Sequence, residues 1–150
     1  MSAGETFVER RVGRKGVPTA RSFARWVDAT LHGARRRGEV SIAILGRAEA
    51  RKLNRQFRGK DYATNVLSFP CEAPPGRRTR LLGDLAICAP VVAREAREQG
   101  KPINHHYAHL TVHGVLHLVG YDHERERDAE RMESLERRVL AGLGISDPYA

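Results

Sequence analysis

Val40-Ser41-Ile42-Ala43-Ile44-Leu45 is a β-rich apolar run that reads as a buried strand, and the segments on either side of it decide what kind of sheet it joins. Downstream, Ala48 to Phe57 returns to helical spacing through Leu53 and Phe57, and Arg58 to Thr64 is a polar connection. Val66-Leu67-Ser68-Phe69 reads as a short strand stopped by Pro70. Ala73 to Arg80 is a Pro/Gly/Arg loop, and Leu81 to Cys88 is a further strand, so a hairpin joins these two strands. Upstream, a basic stretch holds a strand around Thr6 to Val12, and Pro18 opens a helix. Phe23, Trp26, Val27 and Leu31 line one face of that helix, and the Arg35-Arg36-Arg37-Gly38 run ends it.

The second half of the chain is helical. Pro90 to Gln99 carries proline near its first turn, with Gly100 just beyond its end and Pro102 as a second stop. From Ile103 the positions Tyr107, Leu110, Val112, Leu116 and Val119 are apolar over too long a span for one strand, which predicts a buried helix closed by Gly120. Glu124 to Leu140 reads as a charged, amphipathic last helix. The order β-α-β-α-β-β-α-α-α predicts an α+β (mixed α/β) fold: one domain over 1–150, with a roughly four-stranded mixed sheet packed by about five helices.

Composition narrows the function. The 150 residues carry 26 Lys plus Arg against 18 Asp plus Glu, a formal charge of +8, and 41% hydrophobic residues suffice for a core without disulfide staples. The two cysteines, Cys71 and Cys88, form no spaced framework, and no apolar run is long enough to span a bilayer; a cytoplasmic protein is expected. Of the 26 cations 22 are arginine, whose planar fork suits phosphate, so a polyanionic partner is compatible with the charge without being required by it.

His113-Gly-Val-Leu-His117-Leu-Val-Gly120-Tyr-Asp-His123 carries the chemistry. His113 and His117 are four apart on a helix, about 40° around it and roughly 6 Å along it, so both imidazoles reach one ion. His123 would lie roughly 9 Å beyond His117 on a continuing helix. Tetrahedral zinc ligands at about 2.0 Å must sit within roughly 3.5 Å of each other. The helix must therefore stop between them, and Gly120 is placed to do so. Three neutral imidazoles leave a zinc ion its full charge and an open fourth position, where a water of lowered pKa serves as nucleophile while the ion polarises a phosphodiester oxygen. His109, four before His113, is too far along the axis to share an ion with His117 and reads as an outer partner of the ligands, as does Asp122. A zinc peptidase with the same His-x-x-x-His-x-x-Gly-x-x-His spacing carries glutamate as general base after the first histidine; here that position is Gly114.

Together with Leu53-Asn-Arg-Gln-Phe-Arg-Gly-Lys-Asp-Tyr-Ala-Thr-Asn-Val-Leu-Ser-Phe-Pro70 and Leu82-Gly-Asp-Leu-Ala-Ile-Cys88, the histidine motif resembles the YbeY family of bacterial rRNA maturation factors, metal-dependent endoribonucleases of single-stranded RNA. The resemblance implies one Zn2+ held by His113, His117 and His123, a functionally required arginine at Arg58, and roles in ribosomal RNA end processing and ribosome quality control. The expected partners are single-stranded RNA, ribosomal RNA and ribosomal particles. Arg58 begins a polar loop, where its fork can clamp a phosphate and stabilise charge developing on it. Lys60, Arg77, Arg78 and Arg80 are candidates for extending an RNA-binding groove, and Tyr121 for stacking a base. The competing reading is a non-catalytic RNA-binding ribosome assembly factor whose zinc only holds the fold; it requires a fourth protein ligand, for which Cys71 and Cys88 are the candidates.

Overall fold

Four strands, β1 (Thr6–Arg10), β2 (Glu39–Leu45), β3 (Val66–Pro70) and β4 (Leu81–Cys88), form one sheet in the order β1-β2-β4-β3. The structure is a computed structural model describing residues 4–72, 80–122 and 124–149. β1 pairs with β2 and β2 with β4 in parallel, whereas β3 and β4 are the antiparallel pair expected of the hairpin. Helices α1 (Ala20–Gly33), α2 (Arg47–Arg58), α3 (Ala89–Gln99), α4 (Ile103–Leu118) and α5 (Glu126–Gly142) complete the predicted order. The result is the expected α+β architecture, with five helices around a four-stranded mixed sheet among the described residues.

Alternation along β2 separates the two faces. Val40, Ile42 and Ile44 join the main core with residues of α1, α4 and α5, while Ala43 and Leu45 point the other way, toward Leu53 of α2 and Leu67, Phe69 and Ala86. α2 and α4 thus lie on opposite faces of the sheet. α4 is the central element: Tyr107, Ala108, Leu110, Val112, Val115, Leu116 and Leu118 are all buried, so it is apolar nearly all round, as a helix enclosed by other elements must be. Phe23 of α1 packs edge-on against Tyr107 of α4 at 5.8 Å between ring centroids.

Several boundaries differ from the sequence reading, each for a local reason. α1 begins at Ala20 because Thr19 caps it, its side chain accepting the Ser22 N–H at 3.2 Å; Pro18 precedes the cap. The helix ends at Gly33, before the arginine run, where Arg35 takes a left-handed φ of 54°. Pro70 closes β3 from inside the strand. The N–H of Cys71 donates to Leu82 O and that of Cys88 to Asn65 O, so the odd-numbered residues of β3 face β4 and Pro70 turns its missing N–H to the open edge. α5 starts at Glu126, two residues late, because the Asp122 carboxylate accepts the Glu124 N–H at 2.6 Å and holds a turn there. Of the predicted loop Ala73 to Arg80, residues 73–79 lie outside the described residues.

Where a peptidase of similar spacing has its glutamate, Gly114 packs α4 onto the sheet. A Cβ at this position would come within 2.8 Å of a Leu85 methyl, and the Ser68 hydroxyl donates to the Gly114 carbonyl at 3.3 Å. A longer side chain has no space there. Gly114→Ala is expected to destabilise the fold by about 1–3 kcal/mol by overpacking, measured by chemical denaturation; an unchanged midpoint would show that α4 is not held against β4 at this distance.

Candidate metal centre

α4 carries His109, His113 and His117 at steps of four. The Nε2 atoms of His113 and His117 face each other at 3.1 Å, with the rings nearly perpendicular at 80° and their centroids 4.6 Å apart. Tetrahedral geometry with nitrogens about 2.0–2.1 Å from an ion separates them by roughly 3.4 Å, so a small adjustment opens the pair around a cation. The other face of His113 is fixed: its Nδ1 lies 2.7 Å from Glu136 Oε1 on α5. A carboxylate can only accept, so Nδ1 carries the proton and the lone pair stays on Nε2, aimed at His117.

The end of α4 is built by Gly120. With φ of 98° it takes the left-handed conformation; its N–H donates to His117 O at 3.1 Å and the Tyr121 N–H donates to Leu116 O at 3.0 Å. Both bonds satisfy carbonyls of the last turn and swing the chain off the helix axis directly after His117. His123, the third expected ligand, lies outside the described residues.

Glu136 is the residue that sequence reading missed. It is fully buried, and burial by itself would push its pKa up. The neighbouring imidazoles of His109 and His113 and the Tyr149 hydroxyl outweigh this, and its carboxyl is held down at about 2. Tyr149 Oη donates to Glu136 Oε2 at 2.7 Å, and His109 Nε2 stands 3.3 Å from the same oxygen, off the line of a good hydrogen bond. Burial and this carboxylate push the Tyr149 hydroxyl pKa upward. The signal for Glu136 was present in the sequence: with Met132, Leu135, Val139 and Leu140 it completes the buried stripe of α5, an acid where an apolar residue belongs. Tyr149 follows the last helix and carries no periodic signal.

Among the described residues His109, His113 and Glu136 place one donor atom each within 4.8 Å of one another, and this His/His/Glu set can also hold a metal ion. It competes with the Nε2 pair for the same imidazole. Both oxygens of Glu136 are already engaged by His113 and Tyr149 in a fully buried setting, which suits a carboxylate that orients a ligand better than one that shares an ion with water. Among the described residues neither cysteine joins the histidines: Cys71 is exposed, and Cys88 is buried beside Ala50 and Val91.

The remaining candidates are spread around this centre. Arg58 is exposed at the C-terminal end of α2, across the sheet from α4 and next to Phe57, whose ring meets Phe69 of the edge strand β3 at 5.3 Å. Its loop is stiff. Arg51 grips Asp61 with two bonds of 2.8 and 2.9 Å, and buried Asn54 donates to Tyr62 O at 2.8 Å. Lys60 and Arg80 are exposed, and Arg77 and Arg78 lie outside the described residues. Asp84 lines a groove of about 670 Å³ on the α2 face, with Phe7, Phe57 and Phe69. Asp122 spends its Oδ1 on the Glu124 N–H, and Tyr121 packs partly buried against the core.

Replacing the carboxylate with an amide at Glu136→Gln keeps the volume and removes the charge that fixes His113. Metal affinity is expected to fall about tenfold to a hundredfold with the circular dichroism spectrum unchanged, read by competition with a chromophoric chelator. Wild-type affinity in this variant would show that Glu136 plays no part in holding the ligands.

Comparison with known proteins identifies the family. The family model described as Endoribonuclease YbeY matches residues 13–144. A protein of Stenotrophomonas maltophilia (strain K279a) named Endoribonuclease YbeY is 62% identical over 141 residues, covering 91% of this chain and 88% of its own. One of the same name from Alkalilimnicola ehrlichii is 61% identical over 140 residues, covering 91% and 84%. The solution structure of TM1509 from Thermotoga maritima shares the fold, with a TM-score of 0.57 at 23% identity over 95% of this chain and 97% of that one. With most of its length matched at such identity, the chain belongs to the YbeY endoribonuclease family.

Proposed function

We propose that this protein is a zinc-dependent endoribonuclease of single-stranded RNA that matures the 3′ end of small-subunit ribosomal RNA and serves ribosome quality control in the cytoplasm, acting as one domain on ribosomal RNA and ribosomal particles. The observation that carries the chemistry is the 3.1 Å approach of two Nε2 atoms, one of them on an imidazole whose Nδ1 is tied to a buried carboxylate. The family's name supplies the substrate class, RNA.

His113, His117 and His123 are the ligands in this proposal. Zinc bound by them supplies a Lewis acid for a phosphoryl oxygen and lowers the pKa of a water. The chain's own residues do the rest. Glu136 keeps the Nδ1 proton on His113, so that Nε2 stays basic toward the ion, and the Tyr149 hydroxyl holds the carboxylate in place. Cleavage adds an oxygen nucleophile to phosphorus and breaks one P–O bond, and negative charge builds on the phosphoryl oxygens as it does so. Arg58 answers that charge with a fork that never loses its proton. α2, which carries Arg58 at its C-terminal end, and α4, which carries the imidazoles, pack on opposite faces of the sheet at the edge strand β3, and in this proposal the RNA crosses that edge to meet both. Lys60, Arg77, Arg78 and Arg80 extend the phosphate contacts along the strand.

The test is cleavage of single-stranded RNA by highly purified, zinc-loaded protein beside His117→Ala and Arg58→Ala. Wild type is expected to cut, and to stop when the metal is chelated. Arg58→Ala should lose about a hundredfold to a thousandfold in rate while retaining its zinc, and His117→Ala should lose both zinc and activity. Cleavage at the wild-type rate in both variants would overturn the proposal.

A further inference from the structure

α5 presents a row of arginines that the metal centre does not use. Arg127, Arg131 and Arg138 are exposed and fall within about 40° of one another around the helix, spanning about 16 Å of its length. They line a cleft of about 570 Å³ whose other walls are Gly33 at the end of α1, Tyr121 and Leu135, with Ser134 and Glu130 on the same helix flank. A second hollow of about 390 Å³ shares Tyr121 and Arg131 with it and runs past Val119 and Gly120 to Asp122, the residue next to His123. The loop after α1 reaches this place as well, where Arg36 Nη1 donates to Val119 O at 3.4 Å.

The arginines differ in their partners. Arg137, on the neighbouring flank, is held by Asp147 at 3.0 Å and Glu133 at 3.9 Å, whereas none of Arg127, Arg131 and Arg138 forms an ion pair among the described residues. The acids in the two hollows do not neutralise them. Asp122 is turned to the Glu124 N–H, and Asp128 and Glu130, which line the hollows with these arginines, form no ion pair with any of the three among the described residues. Three free planar forks at this spacing, beside a tyrosine ring, have the chemistry that grips consecutive phosphates of a flexible strand.

We propose that this cleft is an RNA-anchoring site separate from the cutting centre: Arg127, Arg131 and Arg138 hold phosphates of a segment that lies away from the scissile bond, and the strand passes from there by Tyr121 to the histidine loop. Glu136, which orients His113, projects from the opposite side of α5, so the anchor acts on how long RNA is held and leaves the chemistry to the metal centre. The inference rests on the RNA-cleaving function proposed above.

Fluorescence anisotropy with a long single-stranded RNA across a range of salt, together with cleavage of that RNA and of a trinucleotide, tests it. In the triple variant Arg127→Ala, Arg131→Ala, Arg138→Ala the slope of log affinity against log salt should fall by ~2, which is about a hundredfold in affinity at about 0.1 M salt. Zinc content and trinucleotide cleavage should stay at wild-type values. The triple variant Arg21→Ala, Arg25→Ala, Arg97→Ala loses the same charge elsewhere and should keep the wild-type slope. Wild-type slope in the α5 variant, or an equal loss in the control variant, would overturn the proposal. Wild-type protein that binds long RNA with the full slope yet never cuts it would instead sink the cleavage function and leave the anchor standing, so the two failures are told apart.

Discussion

The 2.7 Å bond between the fully buried Glu136 carboxylate and His113 Nδ1 is the constraint on which the site depends. A buried carboxylate is tolerated only when hydrogen-bonded and paired, and Glu136 meets that condition through His113, Tyr149 and the nearby His109. One contact therefore has two consequences. It docks the otherwise highly charged α5 against α4, where Met132, Leu135, Val139 and Leu140 complete the packing. It also chooses the tautomer of His113, so the packing of the last helix and the readiness of the ligand are the same structural fact.

α4 supplies the rest of the rigidity. It is buried along nearly its whole length, so its histidines sit on an element that cannot tilt without opening the core. Gly114 lets it approach the sheet so closely that an added Cβ would crowd a Leu85 methyl, and Gly120 breaks it one turn after the second ligand. The close approach that excludes a side chain at Gly114 also excludes a carboxylate general base there, which separates this centre from peptidases with the same histidine spacing. β3 lies at the sheet edge with α4 on one face and, on the other, α2 with Arg58 at its C-terminal end.

What could be read in advance was whatever repeats or punctuates. The element order followed from period-two and period-3.6 apolar patterns, and the end of α4 from a glycine at the right offset from two histidines. Boundaries set by side-chain hydrogen bonds were less legible: Thr19 rather than Pro18 starts α1, and the Asp122 turn delays α5 to Glu126. Glu136 was hidden in plain view, one acid among many on a helix rich in them, and only its phase relative to Leu135 and Val139 marked it as buried. Tyr149 reaches that carboxylate by a tertiary contact from beyond the last helix, which no local pattern encodes.

X-ray absorption at the zinc edge, combined with anomalous diffraction from zinc-loaded crystals, tests the account most directly. An ion within about 2.0–2.1 Å of Nε2 on both His113 and His117, with the Glu136 carboxylate outside its coordination sphere and still bonded to Nδ1, is the predicted result. An ion seated between His109, the Nδ1 face of His113 and the oxygens of Glu136 would contradict it, because Glu136 would then be a ligand and the paired Nε2 atoms would have no metal to hold.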